Sequence, residues 1–216
     1  MKNKKRRFRF RRVLLMIALA VMTAGAAGGT LTYLTDNEKT LNRITAGNNV
    51  IEIVEEYDEP DPGPVEQFRK AIRVRNTGSE ECFVRVRVAF SDGKIRDITE
   101  ISPDGSTYYR ADEYPLHLPD GWVFIPETDA EDGKLLGGYC YYTEVLPAED
   151  PGTAGEEEIS PYLTRSFRTT FASGEDVVPY EIYVYAESVQ TAGKDGRRFA
   201  GPDAYREAWR EFLTSK

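Results

Sequence analysis

The sequence predicts an antiparallel β-sandwich closed by one short C-terminal helix, on three observations. Apolar residues recur at every second position in several short stretches, turn residues separate those stretches, and only one segment near the end has helical spacing. Cys82–Phe90 is the plainest strand: Cys82, Val84, Val86, Val88 and Phe90 share one face while Arg85 and Arg87 share the other. Asn76-Thr-Gly78 precedes it and Ser91-Asp-Gly93 follows, residues that tolerate the positive φ of tight turns.

Residues 1–12, MKNKKRRFRFRR, are cationic, and Val13 to Ala27 form an apolar run that ends in small side chains. That is the layout of a secretory signal peptide, and the run is shorter than the roughly 18 residues that span a bilayer. Small residues permit cleavage after Ala26, Ala27 or Thr32. Residues 33–48 contain Tyr33, Leu41 and Ile44 among polar residues and no Pro, so this segment can lie extended along a sheet edge.

Further strands are expected over Asn49 to Glu56, Phe68 to Arg75, Tyr139 to Leu146, Tyr162 to Phe171 and Tyr180 to Gln190, which with Cys82–Phe90 make a sandwich spanning residues 49–201. Between them, Tyr57 to Pro64, Glu127 to Gly133 and Pro147 to Pro161 are acidic and rich in Pro and Gly, and read as solvated loops. Residues 202–216 begin with Pro-Asp and place Tyr205, Ala208, Trp209 and Phe212 at helical spacing, a stripe expected to pack on the sandwich.

The charge is unevenly distributed. The whole chain has 28 Lys and Arg against 36 Asp and Glu, yet the first 32 residues hold eight of the cations and no acid, leaving 20 against 36, or −16, on the rest. Such a body repels phosphate backbones, and no basic stripe is evident along the chain, so nucleic acid is not an expected partner. Export would carry Cys82 and Cys140 to an oxidising compartment. A disulfide between them, stabilising by roughly 4 kcal/mol on the chain-entropy argument, is the expected state; two buried thiols are the alternative.

Catalytic chemistry finds little support. His117 is the single histidine and sits between prolines, so an HExxH zinc helix is excluded, and there is no G-x-S-x-G elbow. Asp129-Ala-Glu-Asp-Gly133 lacks EF-hand spacing and is at most a weak calcium loop. Thirteen tyrosines, several on strands, suit a half-buried core or an exposed row that binds glycan or protein.

Gly28-Gly-Thr-Leu-Thr-Tyr-Leu-Thr-Asp36 followed by Thr45-Ala-Gly-Asn-Asn-Val-Ile-Glu-Ile53 resembles the entry of the TasA/camelysin family of secreted biofilm-matrix and surface proteins. The resemblance continues through Val74-Arg-Asn-Thr-Gly-Ser79, Phe83 to Val88, Gly138 to Tyr142, Tyr183 to Gln190 and Glu207-Ala-Trp209, in the family's order. It implies a jelly-roll sandwich and cleavage between Thr32 and Tyr33 by a SipW-type signal peptidase. It further implies subunits that join by donating an N-terminal strand to a neighbour; on the edge-strand argument, Leu41 and Ile44 are the expected seated side chains. The expected protein is non-enzymatic, without cofactor, in the extracellular matrix or on the cell surface. Its partners would be its own copies or related matrix subunits, with membrane contact only through the signal peptide. A monomeric glycan- or protein-binding module is the alternative, and a camelysin-type metal-dependent endopeptidase a more distant one.

Overall fold

The computed structural model describes residues 50–58, 63–129, 131–149, 158–174 and 176–215. Two antiparallel sheets face each other. One holds β1 (Ile51–Tyr57), β2 (Val65–Asn76), β8 (Thr164–Thr170), β4 (Thr99–Ser102) and β5 (Tyr109–Arg110), paired in that order. The other pairs β6 (Trp122–Ile125), β7 (Tyr139–Tyr142), β3 (Cys82–Phe90) and β9 (Ile182–Gln190). The chain changes sheet at the connections β2 to β3, β3 to β4, β5 to β6, β7 to β8 and β8 to β9. This repeated crossing gives the sandwich its jelly-roll-like character.

Alternation explains most of these strands. From β3, Cys82, Val84 and Val86 enter the core between the sheets, where they meet Ile72 and Val74 of β2, Phe167 of β8, and Ile182 and Val184 of β9. Short connecting elements join the strands: α1 (Gly93–Asp97), a 3-10 turn at Tyr114–Leu116, and α2 (Gly133–Leu136). Asp92 caps α1 by accepting the Lys94 amide at 2.7 Å, satisfying one of the helix's free amide donors.

The outer face of the four-stranded sheet is not solvated where the alternation of β3 suggests it should be. Helix α3 (Ala204–Thr214) lies on it, and Phe83, Ile125, Leu136, Tyr141 and Val189 form a second core with Ala204, Tyr205, Ala208 and Trp209. The expected helical stripe therefore packs as its spacing implies, but Arg85, which alternation assigns to water, is buried beneath it.

Three strands escape the sequence reading. β4 and β5 are short and have few apolar residues, so neither produces a periodic signal. β6, Trp-Val-Phe-Ile, has no alternation because both its faces are covered: Trp122 and Phe124 pack between the sheets, whereas Val123 and Ile125 pack under α3.

Candidate functional site

The long open edges belong to β1 and β9, each of which has one strand neighbour among the described residues. They lie on the same side of the sandwich, where β1 comes close to β9. Along β1, Ile51 and Ile53 pack against the core, while Glu52 and Glu56 alternate with them on the outer face. Along β9, Ile182, Val184 and Ala186 are buried and Tyr183 is exposed. Unpaired strand edges of seven and nine residues are templates for another extended segment. Residues 33–48 precede β1 in the sequence.

Ionisable groups lie inside the sandwich near these edges. Lys70 on β2 is 3% exposed, donates to Glu55 Oε2 at 2.9 Å and lies 5.8 Å from the Tyr57 ring centroid. Glu66, on the same face of β2, is 4% exposed. Burial pushes its carboxyl above the ordinary glutamate range, and the nearby Tyr180 hydroxyl opposes that shift as a hydrogen-bonding neighbour. Even so, Glu66 Oε2 and the Tyr180 hydroxyl both lack a hydrogen bond of normal geometry among the described residues. Desolvation also raises the Tyr180 hydroxyl.

The residues expected to carry function are dispersed. Thr32, Tyr33, Leu41 and Ile44 lie outside the described residues. Cys82 and Cys140 are free, buried thiols and do not form the expected disulfide. The register explains why: Cys140 stands opposite Val86, and Cys82 lies four residues earlier on β3. That separation is about 13 Å along a strand, whereas a disulfide needs Cα atoms about 4–7 Å apart. The Cys82 backbone exchanges hydrogen bonds with that of Leu146. Burial pushes both thiols up to about 12, which suppresses thiolate chemistry.

His117 ends the 3-10 turn with its ring stacked on Tyr109, the centroids 3.8 Å apart. The loop at Asp129–Gly133 departs from the solvated reading. Asp132 is 2% exposed, accepts from Arg210 Nε at 2.8 Å and lies 3.3 Å from Arg206 Nη1, tying α3 to the residues before α2. Gly133 is required there, because a Cβ would fall 2.5 Å from the Glu127 carbonyl oxygen. No group of three or more His, Cys, Asp and Glu side chains gathers in metal-binding geometry among the described residues. Of the tyrosines, 141 and 142 are buried, whereas Tyr183 and Tyr185 sit on the outer face with ring centroids 6.3 Å apart.

Two constellations were missed by sequence reasoning. Arg85 is held between the Tyr139 ring at 3.9 Å and the Trp209 ring at 4.1 Å, and donates to Glu187 at 2.5 Å and to the Tyr141 hydroxyl at 3.2 Å. On the outer face of the five-stranded sheet, β2 and β8 assemble a band of arginines where none was evident along the chain: Arg69, Arg73 and Arg75 from one strand, Arg165 and Arg168 from the other. Tyr162 lies between Arg73 at 4.5 Å and Arg165 at 4.0 Å, and Arg168 covers Tyr108 at 4.3 Å. The spacing of Arg69, Arg73 and Arg75 was visible; its meeting with β8 depends on pairing across 92 to 105 residues, from Ile72 with Thr164 to Val65 with Thr170.

No family model, no curated protein and no solved structure matches this chain.

Proposed function

We propose that the chain is a secreted structural subunit of an extracellular matrix or cell-surface fibre, in which residues 33–48 of one copy pair with an open sheet edge of the next. The observation that carries the reading is the pair of long unpaired edges, β1 and β9, on one side of the sandwich. A donated strand would satisfy their free amides and carbonyls and seat apolar side chains against a core already built from Ile51, Ile53, Ile182 and Val184. The cationic and apolar leader and the resemblance to the TasA/camelysin family point the same way.

The test is a deletion. The chain from residue 33 is expected to polymerise by electron microscopy and light scattering, and the chain from residue 49 to keep its β-type circular dichroism and cooperative melting while remaining monomeric. A truncated chain that polymerises as readily removes strand donation; one that does not fold makes the segment this domain's own first strand. The exposed Tyr183 and the half-buried Tyr185 beside it favour a second reading, a monomeric secreted module that grips a partner with its aromatic face. That reading requires the full mature chain to stay monomeric at high concentration.

A further inference from the structure

We propose that the arginine band on the outer face of the five-stranded sheet binds an anionic polysaccharide. The band opposes the charge of its surroundings: five guanidiniums stand on β2 and β8 within a body carrying −16. Glu56 is ion-paired with Arg69, lies 3.6 Å from Arg73 and accepts from the Tyr162 hydroxyl, which with the arginines holds its carboxyl below the ordinary range. Glu100 accepts from Arg168 at 2.7 Å. Glu52 stands opposite Arg75 on the same face, so five guanidiniums meet three carboxylates, and the Arg69 and Arg73 side chains remain 47% and 24% exposed. A guanidinium is a planar fork of donors that suits carboxylate, sulfate and phosphate groups alike.

Geometry selects the class of polymer. A pleated sheet sets side chains about 5 Å apart across strands and about 7 Å apart along one face of a strand, a grid that a polymer with repeated anionic groups engages many times over. The Tyr162 ring has guanidiniums near it at both Arg73 and Arg165, so it is a poor platform for nucleic-acid bases. Among the described residues the band's other outward side chains include Gln67, Ser166 and, at the end of β2, Val65. Val65 is small beside the Trp, Tyr and Arg anchors that folded protein partners favour, and the Tyr162 and Tyr108 rings are covered by arginines. A hydrated sugar chain needs neither stacking nor an apolar anchor.

The experiment is independent of fibre growth. The chain from residue 33 is titrated, at a concentration where it is monomeric, with polygalacturonate, neutral dextran, duplex DNA and poly-glutamate, using calorimetry at low and high salt. Saturable binding to polygalacturonate that weakens with salt, with no binding to dextran, is expected. Arg73→Gln and Arg165→Gln should each weaken it about tenfold, the worth of a lost charge-assisted hydrogen bond. Arg69→Gln, at an exposed position, gives the same reading should either of the others disturb folding. Absence of binding to polygalacturonate, equal affinity for DNA or poly-glutamate, or unchanged affinity in folded arginine variants would overturn the proposal.

Discussion

Arg85 shows how one side chain can set the character of a whole face. It is 5% exposed, and its partner Glu187 is also largely shielded, so the pair has given up water for each other and for two aromatic rings. Arg85→Met should cost about 3–5 kcal/mol in a denaturant titration, because Glu187 would keep its charge without a partner. Replacing both residues with apolar ones should recover most of that loss. The cysteines give a second prediction: non-reducing mass spectrometry should find both thiols alkylatable after unfolding and slow to react in the folded protein, as burial and a pKa near 12 require. Glu66 gives a third. Folding raises its pKa above the ordinary 4.5, so the folded state holds the proton more tightly. The stability it contributes is full below pH 4.5 and is lost as pH rises through the raised value. Glu66→Gln should therefore melt higher than wild type at pH 7, with the difference vanishing below about pH 4.

Among the elements, α3 contributes most to closing the fold beyond the sheets themselves. Trp209 is fully buried between Tyr141, Phe212 and the Arg85 guanidinium, and Asp132 fastens Arg206 and Arg210 from the other side. Trp209→Ala should cost about 3–5 kcal/mol, read as a lower melting temperature and a loss of near-ultraviolet dichroism. The helix was legible in the sequence because its stripe, Tyr205, Ala208, Trp209 and Phe212, has one period and one face. The long strands were legible for the same reason, and Cys82–Phe90 agrees residue for residue. What escaped was whatever depends on a second neighbour. β6 is apolar at every position because it serves two cores. Arg85 alternates like a surface residue, and Asp132 reads as part of a solvated acidic loop, because burial by α3 is a tertiary fact. The disulfide expectation rested on compartment and count, and it failed on strand register.

At the scale of the whole molecule, the sandwich combines two long open edges, as seen among the described residues, with a cationic face in an otherwise acidic body. Edges of seven and nine residues are normally blunted in proteins that remain monomeric; in a subunit that polymerises they are the joining surface. Glu52, Glu55 and Glu56 on β1 discourage indiscriminate pairing, so a specific donor must match the register of the edge it joins. Leu41 and Ile44 are three residues apart, so a regular strand places them on opposite faces, and a bulge is needed for both to enter one core. A free peptide spanning residues 33–48 isolates the central claim, because it carries the donor without a body behind it. Added in excess to the polymerising chain, it should occupy open edges, stop elongation and shorten the fibres in proportion to its concentration, while a scrambled peptide leaves them unchanged. Fibres that grow to the same length at the same rate with the peptide present would contradict strand donation as the means of assembly.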